Sequence, residues 1–406
     1  MKKFLSLFLF FPLILWSGPV QLGIDRFFNE NQAKIVEKKR VGLITNHTGV
    51  DSHLRSTIDL FKEKTQLVAI FSPEHGILGS EYAAKIIIKD KEDKDQIPIF
   101  SLHGEHKRPT PDMLRGVDIL VYDIQEIGCR SYTYISTLFY VMEEAAKLQI
   151  PVVVLDRPNP MGGIIVDGPM LKEPWRSFLG YIDVPYCHGM TVGELARFFN
   201  VEYKIGCPLH IIPMSGWKRS MIFKETGLPW IPTSPYIPES DTPFFYASTG
   251  ILGSLGIVSI GIGYTLPFKV VGAPWINGPD FAAKLNAQGL AGVKFLPFYY
   301  RPFYGRFKGE DCQGVKIMIT DPAVYKPVSV QYMVIGILKS LYPKYFEEKF
   351  KQITPLEKSS FCKVNGNEEI FELIKNEKYI AWKLISFDES RRKAFLKTRE
   401  RYLLYD

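Results

Sequence analysis

An α/β fold, built on a mostly parallel sheet and followed by a smaller second α/β unit, is the class this sequence predicts. Three observations carry that expectation. From about Val20 to Met214, short β-favouring apolar runs alternate with stretches of helical periodicity. Those runs end abruptly in polar, turn-forming residues, as strands do where they open onto a ligand-binding rim. A Pro- and Gly-dense segment over 208–279 then separates this half from fresh β and helical patterns beyond it.

The strands are expected at 41–45, 67–71, 97–102, 118–122, 151–155 and 209–214, each a run rich in Val, Ile, Leu or Phe. A helix is expected from Ser56 to Lys64, with Ile58, Leu60 and Phe61 toward the sheet. A second runs from Tyr134 to Leu148, where Leu138, Val141, Met142 and Ala145 share one face. Thr191-Val-Gly-Glu194 reads as a capping box opening a third, whose Leu195, Phe198 and Phe199 form the buried face. The segment 208–279 reads as loops. In the second unit, 314–319 reads as a strand and Tyr332–Leu341 as a helix.

At 406 residues, with 46% hydrophobic and 23% charged residues, the chain can bury a substantial core and is expected to form two domains. They are expected at 19–264 and 265–406. The net charge of +7 is spread among acidic residues along the chain, which argues against a nucleic-acid footprint. Lys2-Lys3, the apolar run Phe4–Trp16 and Ser17-Gly18 read as a secretory signal peptide over 1–18. That predicts an exported protein, periplasmic or secreted, that spans no membrane after cleavage. The 5 cysteines have neither metal-type spacing nor the density of a disulfide framework; buried thiols are expected for most, with one or two bridges left open.

The chemistry is expected at the polar strand endings. Ser72-Pro-Glu74-His75-Gly76 puts an acid and an imidazole in a tight turn, and Asp123-Ile-Gln-Glu126 follows another strand, with Arg130 just beyond. Two carboxylates across a cleft are the machinery of general acid–base hydrolysis, including glycoside cleavage. Glu74, Asp123 and Glu126 are therefore the catalytic candidates. Asn46 and His47 end the first strand, Asp156-Arg157 end the fifth, and His188 precedes a helix N-terminus. For Asp156-Arg157 a rigid turn with a local ion pair is as good a reading as substrate contact. His103-Gly-Glu-His106 lacks the helical spacing of a zinc motif, and no phosphate loop or serine nucleophile elbow is present, so no metal or cofactor is expected.

Five ordered blocks support a closer comparison: Gly42-Leu-Ile-Thr-Asn46, Ser72-Pro-Glu-His-Gly76, Asp123-Ile-Gln-Glu-Ile-Gly128 with Arg130 and Tyr132, Leu155-Asp-Arg-Pro-Asn-Pro160, and His188-Gly-Met-Thr-Val-Gly-Glu-Leu195. In this combination the chain resembles the bacterial exo-β-N-acetylmuramidases, which remove terminal N-acetylmuramic acid from peptidoglycan fragments. The resemblance implies a Rossmann-like catalytic domain, a smaller C-terminal domain and a saccharide substrate. It implies Glu74 as the catalytic acid, with Asn46, Asp123, Arg130, Tyr132 and His188 lining the same site; His75, beside Glu74, is read as an orienting or substrate-binding group, and Asp156 and Arg157 as candidates for substrate contact. The covering loop departs from that family's pattern. Tyr236 stands where Asn is usual, and Ser254, Ile257 and Ile262 stand where Glu, Asn and Arg are usual. Two alternatives follow: a glycan-binding member with impaired catalysis, or a hydrolase shifted to another aminosugar.

Overall fold

A computed structural model describes residues 19–81, 91–92 and 97–406; the expected signal peptide lies outside the described residues. The first half forms a sheet from β1 (Arg40–Thr45), β2 (Gln66–Ser72), β3 (Lys91–Glu92), β4 (Pro98–Ser101), β5 (Ile119–Asp123), β6 (Val152–Leu155) and β7 (Leu209–Ile212). The spatial order is β3-β4-β2-β1-β5-β6-β7. All neighbours pair parallel except β3, which runs antiparallel to β4 at the edge. Among the parallel strands the order reverses at β1, the doubly wound arrangement of a Rossmann-like sheet, which opens a crevice at the carboxyl ends of β1 and β5. Each of the six expected strands is present, with ends shifted by one or two residues.

Strict alternation along the strands feeds two cores. Val41, Leu43, Ile119, Val121, Val153 and Leu155 point to one face, where they pack with Phe27 of α1 (Gly23–Asn29) and Leu60 and Phe61 of α2 (Thr57–Lys64). Ile44, Leu120, Tyr122, Val152 and Val154 point to the other, against Leu138 and Met142 of α3 (Tyr134–Lys147) and Leu195 and Phe199 of α4 (Val192–Glu202). Burial on both faces explains why these strands read as continuous apolar runs. Ser56 caps α2 through a bond from the Ile58 amide (3.2 Å). At α4 the capping box is complete: Thr191 Oγ1 accepts from the Glu194 amide and Glu194 Oε2 accepts from the Thr191 amide.

Within the Pro/Gly-dense segment the structure adds an element that the loop reading missed, α5 (Thr242–Ser254). Pro243 sits in its first turn, where a missing N–H costs nothing. Gly253 lies where a side chain would collide with Ile260, a built Cβ standing 2.4 Å from its Cδ1. Both residues look like helix breakers in sequence and serve the helix in place. The second sheet is antiparallel, ordered β8 (Val270–Ala273), β10 (Cys312–Ile319) and β9 (Val293–Tyr300). It packs with α6 (Gly278–Asn286), α6 contacts α7 (Pro327–Leu341), and α7 in turn contacts α5. The helices α8 (Pro343–Gln352), α9 (Pro355–Asn365), α10 (Glu368–Asn376), α11 (Ala381–Ser386) and α12 (Glu389–Arg399) complete this smaller unit. Among the described residues no helix is long and apolar enough to cross a membrane.

Candidate active site

The crevice between β1 and β5 is filled by protein. Asp123, fully buried at the end of β5, accepts from Arg157 Nε (2.6 Å) and Nη2 (2.8 Å), and from the Thr57 hydroxyl. Arg157 also donates to the Val50 carbonyl, and Thr45 Oγ1 to the Asp123 carbonyl. The space left beside Thr48, Gln125 and Arg157 is about 20 Å³, room for about one water. Asp123, a catalytic candidate by sequence, is thus held by the protein's own groups. Both its oxygens are committed to a buried ion pair, and Arg157, expected on substrate, is committed to Asp123.

Asp156 and Arg130 are likewise held by internal bonds. Asp156 binds the start of α4 through the Thr191 hydroxyl and the Gly193 amide, and takes a third bond from the Tyr405 hydroxyl. Its burial pushes the carboxyl up to about 7 against those bonds. Arg130 donates to the carbonyls of Pro169, Val184 and Asn365, so it ties the loop after β5 to the end of α9. His188 is buried as well: Nδ1 accepts from the Met190 amide, its carbonyl accepts from Arg399, and burial depresses the imidazole to about 3. None of these groups turns toward Glu74 in any bond described.

Glu74 gathers a different set. The turn after β2 places His75 at φ 70° and Gly76 at φ 74°, two successive left-handed residues. Glycine adopts that conformation freely, and histidine is among the residues that visit it most, so the sequence suits the turn. Glu74 Oε2 accepts from Oγ1 of Thr133 (2.5 Å), which precedes the first residue of α3 and makes no side-chain capping bond to it. Glu74 Oε1 lies 3.8 Å from His103 Nε2, just past the end of β4. Burial lowers the His103 pKa, and the opposing pull of Glu74 does not overcome it, so the ring is held toward its neutral form. His75 is fixed by its Nδ1 bond to the Glu81 carbonyl (2.6 Å) and stands edge-on to Tyr134.

The second carboxyl in this neighbourhood is Glu126. Tyr134 is near enough to both Glu126 and Glu74 for each to raise its pKa, although burial is the larger cause. Glu126 Oε2 accepts from the Ile127 amide, while Oε1 is buried with no protein partner. Burial pushes this carboxyl up to about 8 against two backbone amides. The roof is the segment around Thr233: Tyr132 donates to its Oγ1 (2.8 Å), Tyr134 to its carbonyl (2.6 Å), and His47 Nε2 bonds the carbonyl of Pro232 (2.6 Å). Asn46 sits at the end of β1. Its Oδ1 is satisfied by Thr48, and its Nδ2 is buried without a partner.

Thus the structure brings Glu74, His75, Glu126 and Tyr132 together and adds His103, Thr133, Tyr134 and Thr233. His103 carried a usable signal: it follows β4 as Glu74 follows β2, yet its neighbours Glu105 and His106 drew attention to a zinc reading. Thr133 and Thr233 carried none, because only the fold brings them near Glu74. Removing the Thr133 hydroxyl with Thr133→Val should lower kcat on the order of tenfold, the size of a lost hydrogen bond to a charged group. Steady-state kinetics with a thermal melt, which should move little, checks it.

Glu126 yields a pH prediction. A carboxyl raised from 4.5 to about 8 keeps its proton in the folded chain while the unfolded chain loses it, so stability falls as pH rises through that interval. The buried histidines work oppositely, but only below about 6.5. Between about pH 6.5 and 8 the raised carboxyls therefore decide the sign, and stability should drop by on the order of 1–2 kcal/mol per group. Glu126→Gln should flatten part of that slope in denaturation curves taken across the window.

The covering loop does not line an open wall. Ile257 is 4% exposed and Ile260 9%, both within the main core, and Ile262 packs against it. Ser259 pairs with Gly272 of β8, which fixes the segment on the second sheet. Tyr236 meets Tyr304 through their hydroxyls (3.4 Å).

A doubly wound sheet thus carries Glu74, His75 and His103 together at its carboxyl edge, where α/β enzymes of this architecture hold their ligands. The comparisons make the class specific. Residues 41–241 match the family model for the N-terminal domain of exo-beta-N-acetylmuramidase NamZ, and residues 244–405 match that for its C-terminal domain. The chain belongs to this family, and it is a glycosidase of the exo-β-N-acetylmuramidase type. It is 40% identical over 388 residues to the peptidoglycan beta-N-acetylmuramidase NamZ of Bacillus subtilis (strain 168), covering 95% of this chain and 91% of that protein. Two crystal structures of DUF1343 family proteins from Bacteroides fragilis share the fold. One has a TM-score of 0.89 at 40% identity, the other 0.76 at 27%, each covering 96% of this chain and 99% of its own.

Proposed function

We propose that this protein is an exported exo-β-N-acetylmuramidase that releases N-acetylmuramic acid from the non-reducing end of peptidoglycan fragments. The observation that carries the mechanism is Glu74, held by Thr133 and flanked by His103 at a strand ending. In this reading Glu74 gives its proton to the glycosidic oxygen as the bond from that oxygen to the anomeric carbon breaks; water bonds to the anomeric carbon, and the proton it loses returns to the Glu74 carboxylate. Burial pushes the Glu126 carboxyl up to about 8, which favours its neutral form near Tyr134. The substrate assignment is supported by the activity named for the Bacillus subtilis relative. Export is supported by the basic, apolar and small-residue order of residues 1–18.

A second reading, a shift toward a less anionic aminosugar, is favoured by the missing Arg at Ile262, since that cation would suit a lactyl carboxylate. The burial of Ile257 and Ile260 favours the first reading, because these residues replace no open polar wall. A panel of chromogenic β-N-acetylmuramides and β-N-acetylglucosaminides separates them. Turnover confined to the muramides supports the proposal; preference for glucosaminides supports the shift. Binding without turnover of either would mark a member that has lost catalysis.

A further inference from the structure

Cys129 and Cys187 face each other across an antiparallel bridge, and both are fully buried. Arg130, next after Cys129, donates its amide to the carbonyl of Tyr186, just before Cys187 (2.8 Å). That pattern makes 129 and 187 a narrow, non-hydrogen-bonded pair, for which Cα atoms lie about 4.5 Å apart. A disulfide accepts Cα separations from about 4.4 to 6.8 Å, so no backbone movement is required. The two thiols already lie within hydrogen-bonding reach of each other. Cys207, Cys312 and Cys362 lie on separate elements: before β7, at the start of β10 and in α9.

All five cysteines are reduced in this structure. We propose that Cys129 and Cys187 form a structural disulfide in the exported protein. The proposal rests on the export reading, since an oxidising compartment is what makes such a bond persist. The link would fasten the loop carrying Glu126, three residues before Cys129, to the loop carrying His188, one residue after Cys187. Each thiol gives up one proton and one electron as the S–S bond forms. The two electrons and two protons pass to the disulfide of an oxidant, a dithiol oxidase or oxidised glutathione, which leaves as thiols. Burial of both sulfurs places this step during folding, before the loops close.

The test refolds the mature chain in mixed oxidised and reduced glutathione, then alkylates it with iodoacetamide in denaturant without reductant. Intact mass should show three adducts, rising to five after dithiothreitol, and peptide mapping should join the peptides holding residues 129 and 187. Five adducts before reduction, or a different joined pair, would overturn the proposal. Dithiothreitol should also lower the melting temperature of the oxidised chain by on the order of 5 °C. A Cys129→Ser, Cys187→Ser variant should show no such response, and an equal response would count against the pair. The adduct count decides the matter even should that variant not fold. Fractionation of expressing cells tests export separately: a chain found only in the cytoplasm would defeat the export reading, with the refolding result still judging the pair.

Discussion

Glu74→Gln is expected to lower kcat on a chromogenic β-N-acetylmuramide by about a hundredfold to ten-thousandfold, the usual contribution of a positioned acid or base. The amide keeps the shape of the carboxyl and can still accept from Thr133, so KM and the melting temperature should change little. What it cannot do is give a proton to the departing oxygen. An aglycone that leaves readily without protonation should therefore narrow the gap between parent and variant, and a poor one should widen it. Steady-state kinetics on two aglycones of different acidity measures this. Turnover that survives the substitution on both would remove Glu74 from acid–base work.

Arg157→Ala is expected to have the largest effect on stability, about 3–5 kcal/mol, because it strands the Asp123 carboxylate without its cation. Asp123 is fully buried and Arg157 nearly so, with side chains 0% and 4% exposed, so solvent cannot replace the lost partner. The pair sits where β5 and β6 end side by side, and it closes the crevice that doubly wound sheets often use for ligands. Replacing both partners with apolar residues of similar size, Asp123→Leu with Arg157→Met, should recover much of the loss, since no charge is then left unpaired. Urea denaturation of the single and double variants measures both effects. A single variant within about 1 kcal/mol of the parent, the value of a surface pair, would show the bond to be weak.

These two residues also show what could be read from the chain before its structure. Apolar runs located the parallel strands closely, and the polar residues that follow them lie at the carboxyl edge of the sheet. A strand ending carries no mark, however, of whether it faces a ligand or its neighbour. Asp123 and Arg157 end adjacent strands and satisfy each other, so two apparent site residues became one internal bond. Glu74 ends a strand whose neighbour brings His103 beside it, an imidazole whose pKa burial lowers. The bonds of Arg130 were not legible at all, because its partners are the carbonyls of Pro169, Val184 and Asn365, and every residue type has one. The isoleucines of 257–262 looked like losses from a binding loop only while their direction was unknown. α5 was hidden because Pro243 and Gly253 act there through position and close packing, which composition does not record.

The central claim is that the edge bearing Glu74 cleaves terminal N-acetylmuramic acid from its glycan. The most direct measurement incubates the purified chain with a fragment ending in N-acetylmuramic acid and with one ending in N-acetylglucosamine, and follows the products by mass spectrometry. Free N-acetylmuramic acid released from the first fragment alone, and abolished by Glu74→Gln, is the predicted result. Release of N-acetylglucosamine from the second, or no release from either by a folded chain, would contradict it.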